Sequence, residues 1–81
     1  MIDIVDVVQY IMSRLVDNPK SVRVTAEGDE IKVLVDKSDM GRVIGKQGRI
    51  AKAVRTLVRA VGMRYSRKYN VEIDEIAGSE G

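Results

Sequence analysis

Apolar residues recur at helical spacing in the first part of the chain. Ile4, Val8, Ile11 and Leu15 follow one another at intervals of three or four residues, which places them on one face of an amphipathic helix. Acidic residues stand near its start, where the helix dipole favours negative charge. Because proline cannot continue a helix, we expect this one to end at Asn18-Pro19.

Alternation of apolar and polar residues follows and predicts two strands. Val22, Val24 and Ala26 alternate with polar neighbours, and so do the apolar positions within residues 31–35. Gly28 lies between the two runs and can adopt the positive φ that a tight turn requires. We therefore predict a β-hairpin.

Two helices are predicted beyond the hairpin. A short one, capped by Asp36 or Ser38, extends to about Ile44, and a longer one begins after Gly48 with an apolar face opposite a basic face. The sequence leaves open whether Gly62 ends, bends or merely weakens the longer helix.

A final strand is predicted where alternation returns at residues 69–74. The order is then helix, strand, strand, helix, helix, strand, which indicates an α+β fold. A three-stranded sheet with the helices packed on one face is the simplest way to bury all the apolar stripes. We expect a single domain over residues 1–76 and a disordered polar tail over residues 77–81.

The composition excludes several classes of site. The chain has neither cysteine nor histidine, which rules out a disulfide framework, a Cys/His zinc site and a Ser-His or Cys-His nucleophile pair. No carboxylates have the spacing of an acid/base pair, so we expect no catalysis and no cofactor. No apolar run approaches the ~20 residues of a membrane span and no signal peptide is evident, which favours a cytoplasmic protein.

Positive charge is concentrated in one region. The formal net charge is only +2, yet residues 41–68 contain no acidic residue and most of the basic ones. The remainder of the chain mixes both signs. A block of one sign indicates a polyanionic partner more than a solvated surface.

Within this block, Gly45 and Gly48 flank a short loop before a predicted helix. Glycine lets a backbone approach a ligand closely, and a helix N-terminus presents N–H groups that suit a phosphate. The loop is neither a Walker A motif, since it is one residue short and has Gln47 in place of the hydroxyl residue, nor a Rossmann loop, since the first Gly-x-Gly is missing.

Residues 43–50, VIGKQGRI, instead resemble the signature of the KH domain, whose GXXG loop contacts the backbone of about four nucleotides. The predicted element order is similar to the type II KH arrangement, and the resemblance extends over nearly the whole chain. In its size, with no further domain, the chain resembles the stand-alone bacterial KhpA (YlqC-type) family.

The resemblance implies a set of RNA-binding residues. Two glycines shape the loop, and its middle pair faces the sugar-phosphate backbone. Neighbouring apolar side chains line a groove whose far wall is residues 31–35. Basic side chains neutralise phosphates. The set comprises Arg42, Val43, Ile44, Gly45, Lys46, Gln47, Gly48, Arg49, Ile50, Lys52, Val54 and Arg55.

The resemblance also implies single-stranded RNA as the ligand and a second KH chain as a partner. Proteins of the family associate as homodimers and with a KhpB (Jag-type) protein, act as small RNA chaperones or regulators, and are linked to cell shape and envelope homeostasis. Met40, Met63 and Tyr65 are candidates for the contact surface. Two alternatives stay open: a protein-interaction or ribosome-assembly adaptor, and a DNA-binding helix-turn-helix with a basic second helix.

Overall fold

The first helix begins at an acidic cap and ends earlier than the sequence predicts. Helix α1 spans Ile4–Leu15, and the Asp3 carboxylate accepts a hydrogen bond of 3.0 Å from the backbone N–H of Val5. The prediction that Asn18-Pro19 ends this helix is wrong, because the helix has already ended at Leu15. Pro19–Ser21 form a separate single turn of 3-10 helix.

The three strands form one mixed sheet. Strands β1 (Arg23–Glu27) and β2 (Glu30–Val35) make the predicted hairpin, with Gly28 at a φ of 62° in the turn. Strand β3 (Asn70–Glu75) pairs in parallel with β2, which gives the sheet order β1-β2-β3. Ile31, Val33 and Val35 of β2 are buried while Lys32 between them is exposed, so the helices cover one face of the sheet.

Helix α2 spans Lys37–Arg64 and is interrupted where the sequence predicts a loop. Gln47 and Gly48 have φ values of 65° and 68°, in the left-handed region that a right-handed helix does not use. The element therefore consists of a first segment, residues 37–46, and a second segment, residues 49–64. The predicted α+β fold, with its helix-strand-strand-helix-helix-strand order, is confirmed.

Asp36 caps the first segment of α2. Its carboxylate accepts hydrogen bonds from the backbone N–H of Ser38, at 2.9 Å, and from the Ser38 hydroxyl, at 2.5 Å. These two bonds lower the pKa of Asp36. Of the two caps that the sequence offered, Asp36 is the one used, and Ser38 supports it.

A buried carboxylate on α2 determines where α1 ends. Asp39 is only 1% exposed and accepts hydrogen bonds of 3.0 Å from the backbone N–H groups of Asp17 and Asn18 and from the Asn18 side-chain amide. Burial alone would raise the pKa of Asp39, but these hydrogen bonds and the charge of Arg42 outweigh it and hold that pKa below its usual value. Because these N–H groups bond to Asp39, they do not continue α1.

Gly62 lies in the last turn of α2 and lets the following segment pass close to it. A Cβ atom at this position would stand 2.5 Å from the backbone oxygen of Arg67 and 3.0 Å from the Tyr69 ring. The Gly62 carbonyl accepts a hydrogen bond of 2.7 Å from the Arg67 N–H. The helix continues to Arg64, so Gly62 provides space for the chain's return to β3 and does not end the helix.

The structure describes residues 3–76. The predicted polar tail, residues 77–81, lies outside this range, as do Met1 and Ile2. No helix within the described range has both the length and the hydropathy that crossing a bilayer requires.

We predict that Gly62→Ala lowers the free energy of unfolding, because the backbone displacement that admits the methyl group costs about 1–3 kcal/mol. This cost should exceed the gain of about 1 kcal/mol in helix propensity, which leaves a net loss of up to about 2 kcal/mol. Urea unfolding followed by circular dichroism measures it. Gly41→Ala is the matched control, since no atom lies within 4 Å of the Cβ position there. Equal stability of the two variants would contradict the packing role of Gly62.

We predict that Asp39 makes the free energy of unfolding depend on pH in the acid range. Its folded-state pKa lies below the unfolded value of about 4, so its contribution is fully present above that pH and is lost as the pH falls through the folded pKa. Asp39→Asn should lower the free energy of unfolding by about 1–3 kcal/mol at pH 7. It should also reduce the difference between the free energies of unfolding at neutral and at acid pH. Urea titrations across this pH range test it, with the exposed Glu72→Gln as control. An unchanged pH dependence in Asp39→Asn would refute the assignment.

Candidate nucleic-acid interface

The break in α2 is built by one glycine and one strained residue. Gly48, at a φ of 68°, adopts a conformation that any side chain would disfavour, which explains the glycine there. Gln47 has a similar φ without that freedom, at a cost of about 1–2 kcal/mol for an L-residue. Strain of this kind is retained where the surrounding structure enforces it, often at a functional site.

Gly45, by contrast, is not required by the fold. It lies in the first segment of α2, just beyond the predicted end of that helix, and its φ is not positive. Apart from its chain neighbours and the backbone of its own helical turns, no atom lies within 4 Å of the position that its Cβ would occupy. A glycine inside a helix is less favourable than alanine by about 1 kcal/mol. The bare backbone at Gly45 therefore has no structural reason within the described residues.

Only part of the predicted apolar set reaches the surface. Val43 and Val54 are fully buried in the core, where they hold the two segments of α2 against the sheet. Ile50 is half-buried against that core, whereas Ile44 is 55% exposed. An apolar contact with a ligand can therefore use Ile44 and part of Ile50, and not the two valines.

The structure contradicts the prediction that residues 31–35 form the far wall of the groove. Ile31, Val33 and Val35 of β2 are buried beneath the helices and cannot line an open groove. β3 is one of the two edge strands of the sheet, and its Val71 and Ile73 are half-buried. Parallel pairing places β3 beside β2 and moves the accessible wall one strand outward.

The basic side chains near the break differ in whether they are paired with a carboxylate. Arg42 donates a hydrogen bond of 3.0 Å to the Asp17 carboxylate, and both side chains are largely exposed. Arg49, Lys52 and Arg55 are exposed on the second segment, and no ion pair joins them to a carboxylate among the described side chains. The side chain of Lys46 lies outside the described part of the structure.

Further along the basic block, Arg67 is already paired. Its Nε donates a hydrogen bond of 2.7 Å to Asp29 in the hairpin turn, and this interaction raises the pKa of Arg67. The backbone carbonyl of Asp29 also accepts a bond of 2.9 Å from the N–H of Asn70. Arg67 thus fixes the start of β3 against the hairpin and contributes to the fold.

The family model described as "KhpA/KhpB, KH domain" matches residues 5–73. The chain belongs to this family of KH domains. It is 50% identical to the RNA-binding protein KhpA of Listeria monocytogenes over 86% of this chain and 97% of the relative. It is 47% identical to RNA-binding protein KhpA of Bacillus subtilis over 84% of this chain and 89% of the relative, and 45% identical to that of Aquifex aeolicus over 86% and 94%. No solved structure matches the chain.

Family membership fits the position of the break, since the Gly-x-x-Gly sequence of residues 45–48 includes Gln47 and Gly48, where the helix is interrupted. The structure also shows a surface that the sequence did not indicate. A cleft of about 540 Å³, here named the α1–α2 cleft, opens beside the loop between the end of α1 and the two segments of α2. It is lined by Leu15, Gly41, Arg42, Gly45, Arg49 and Ile50.

Two of these lining residues, Leu15 and Gly41, are not among the predicted binding residues. Leu15 belongs to the apolar face predicted for α1 but is 38% exposed. Gly41 stands four residues before Gly45, so the two share one helix face, and that spacing was the available signal. For metals, no group of three or more carboxylates within residues 3–76 could hold an ion.

We predict opposite effects of alanine at the two loop glycines on the protein without ligand. Gly45→Ala should raise the free energy of unfolding by up to about 1 kcal/mol, because the Cβ meets nothing and helix propensity improves. Gly48→Ala should lower it by about 1–2 kcal/mol, because of its positive φ. Urea unfolding of both variants measures the difference. A destabilised Gly45→Ala would show that the fold itself needs this glycine.

Proposed function

We propose that this KH domain binds single-stranded RNA without catalysis, through the break in α2 and the basic side chains beside it. The observation that carries the proposal is Gly45, a helical glycine on open surface that the fold does not require. Close approach of a ligand backbone explains such a residue. The names of the relatives, RNA-binding protein KhpA, support RNA as that ligand.

The charge around the break supports an extended polyanion. The second segment of α2 begins at residue 49, and the N–H groups at a helix start, together with its dipole, favour a phosphate. Arg49, Lys52 and Arg55 follow at intervals of three residues with exposed side chains. A row of cations extending from the loop suits successive phosphates better than one isolated anion.

We assign the apolar side of the groove to Ile44 and to the edge of the sheet at β3. Ile44 is exposed directly before the loop. On the other side, Tyr69, Asn70 and Val71 line a recess of about 100 Å³ with Arg55 and Arg59 of α2. A base at this edge would contact the Val71 side chain and the polar groups around it.

We predict that Lys46→Asp/Gln47→Asp weakens binding of single-stranded RNA by roughly tenfold or more, because two negative charges in the loop repel the phosphates. Fluorescence anisotropy at several salt concentrations measures it. For the unmodified chain the logarithm of affinity should fall with a slope of about 0.7 per phosphate contact. Circular dichroism confirms that the variant folds.

Lys20→Asp/Thr25→Asp is the matched control, since it changes the net charge equally at two exposed positions on the 3-10 turn and β1. Equal weakening by the two double variants would mean that the net charge, and not the loop, governs binding. Preference for duplex DNA over single-stranded RNA would favour the helix-turn-helix alternative. Absence of any RNA binding would favour the protein-interaction adaptor.

We further propose that the chain pairs with a second KH chain, either its own copy or a KhpB-type protein. Exposed apolar surface on the second segment of α2 supports this. Ala53, Leu57 and Ala60 contribute to one shallow hollow, and Met63, close beyond it, is 80% exposed. Of the three predicted contact residues, Met63 and Tyr65 are exposed, whereas Met40 packs against the core.

We predict that Ala60→Glu, which adds a charge beside this hollow, shifts the chain toward the monomer in sedimentation velocity. Ala26→Glu on β1 serves as control, since it is equally an exposed alanine. A chain that sediments as a monomer both alone and with a KhpB-type protein would refute the pairing.

A cytoplasmic role as a small RNA chaperone or regulator, linked to cell shape and envelope homeostasis, is the biological part of the proposal, and it rests on the family resemblance. Cell length and sensitivity to envelope stress in a strain whose only copy is Lys46→Asp/Gln47→Asp test it. Normal cells in such a strain would refute a role that depends on the loop.

A further inference from the structure

We propose that the free edge of β1 pairs with β1 of a second copy of this chain and joins the two three-stranded sheets into one sheet of six strands. β1 is an edge strand, because the sheet order β1-β2-β3 leaves one of its sides without a neighbouring strand in the described range. This pairing depends neither on RNA binding nor on the α2 surface proposed above. The two surfaces are separate, since α1 packs against β1 and α2 packs against β3.

The edge of β1 lacks most of the features that keep exposed strands from pairing. The strand, Arg23–Glu27, contains neither proline nor lysine and pairs with β2 in continuous register without a bulge. Val24 and Thr25 are β-branched, which favours an extended strand. Such an edge presents unpaired backbone N–H and C=O groups to another strand.

The hairpin determines which backbone groups of β1 are free. Its two-residue turn follows Glu27 and closes with a hydrogen-bonded pair. Because bonded and non-bonded pairs alternate along an antiparallel ladder, the N–H and C=O groups of Val24 and Ala26 point away from β2. No backbone group of a described turn or loop bonds to them. The carbonyl of Val22, by contrast, already accepts a hydrogen bond of 3.1 Å from the Gln9 side chain.

Two-fold symmetry centred on Thr25 satisfies all of these free groups at once. In an antiparallel pair of β1 strands with this centre, Val24 lies opposite Ala26 of the second copy, and the two residues exchange both N–H···O bonds. The symmetry repeats the exchange on the other side of the centre. A shift of register by one residue would instead oppose free groups to groups that already bond to β2.

The same register brings opposite charges together. Arg23 and Glu27 lie on the outer face of the sheet, two residues on either side of Thr25, so Arg23 of each copy stands opposite Glu27 of the other. Neither forms an ion pair with another described side chain. Within the hairpin Glu27 stands opposite Glu30, and such a like-charge pair is destabilising. A second copy places a cation beside this pair.

The apolar contribution is small, so the pairing is weak. On the face covered by the helices, Val24 is 9% exposed and Ala26 is exposed, and each meets the other's counterpart in the second copy. Two five-residue strands bury less than the roughly 1,200 Å² of a stable interface, so we expect a dissociation constant on the order of 100 µM. The comparison of Ala60→Glu with Ala26→Glu belongs at low micromolar concentration, where the β1 strands remain apart.

A chain with two separate surfaces for its own copies forms more than a dimer. Pairing through the hollow on α2 joins two chains, and pairing through β1 then joins such dimers to one another. At high local concentration, as on one RNA strand, the two contacts together give assemblies of four or more chains.

Charge exchange between β1 strands tests the pairing. The parent chain carries Ala60→Glu, which suppresses association through α2, and sedimentation equilibrium from about 10 to 500 µM brackets the expected dissociation constant. Arg23→Glu and Glu27→Arg, added separately, each set like charges opposite one another at two positions, and each should weaken association about tenfold. An equimolar mixture of the two variants restores opposite charges at both positions, and association should return.

The matched control is a pair of equal charge changes away from β1. Lys37→Glu and Glu72→Arg alter exposed residues of α2 and β3, and neither variant alone nor their mixture should change association. Circular dichroism confirms each fold. Arg23 donates a hydrogen bond of 2.9 Å to the Lys20 carbonyl, so Arg23→Glu can affect the fold, and Glu27→Arg must then weaken association by itself.

Backbone hydrogen exchange gives a second measurement in the parent chain. The amides of Val24 and Ala26 should exchange several-fold more slowly as the protein concentration rises through the range of association. The amide of Thr25 bonds to β2 in either state and should not change.

Several results would overturn the pairing. A parent chain that stays monomeric over the whole concentration range would do so and would leave RNA binding and the α2 surface untouched. Variants whose mixture associates no better than either alone would refute the register. Equal effects of the control charges would assign association to net charge. Unchanged exchange at Val24 and Ala26 in a chain that associates would assign association to another surface.

Discussion

Two consecutive residues in the left-handed region, Gln47 and Gly48, are the constraint on which the rest of this fold depends. A straight helix over the 28 residues of α2 would be about 42 Å long, more than the 39 Å of the molecule's longest dimension. Interruption lets the element present two short apolar faces to one small sheet. Val43 on the first segment and Val58 on the second are both fully buried as a result.

Different interactions hold the two ends of α2, and both of them position the break. At its start, the buried Asp39 carboxylate binds the N–H groups that follow α1, which holds α1 beside the first segment. At its end, Gly62 lets the chain pass within contact distance, and Arg67 ties the return to the hairpin turn. The loop between these anchors then remains on the surface with the basic side chains of the second segment.

The sequence predicted the elements well because periodicity and glycine chemistry are local. The hairpin at Gly28 and the break at Gly48 follow from positive φ, which few residues other than glycine adopt readily. The early end of α1 could not be foreseen, because it depends on a carboxylate more than twenty residues away in sequence. The sequence does not predict the role of Asp39, since a single acidic residue at a helix start carries no sign of burial.

The candidate site was predictable in its backbone but less so in its side chains. The motif predicts a loop at residues 45–48, and the helix is interrupted within it at Gln47 and Gly48, whereas Val43 and Val54, predicted to line the groove, lie in the core. Exposure depends on how the helix is rotated over the sheet, and an apolar residue beside a loop gives no information about that rotation. The same limitation concealed Leu15, an apolar residue on the predicted buried face of α1 that reaches the surface.

The central claim is that the break in α2 exposes the backbone N–H groups that bind RNA phosphates. Backbone amide spectra of ¹⁵N-labelled protein, recorded while single-stranded RNA is added, test it most directly. The account predicts that the largest shifts occur at residues 45–49 and continue along the exposed face of the second segment. Shifts confined to the sheet or to residues beyond Gly62, with the amides of the loop unmoved, would contradict it.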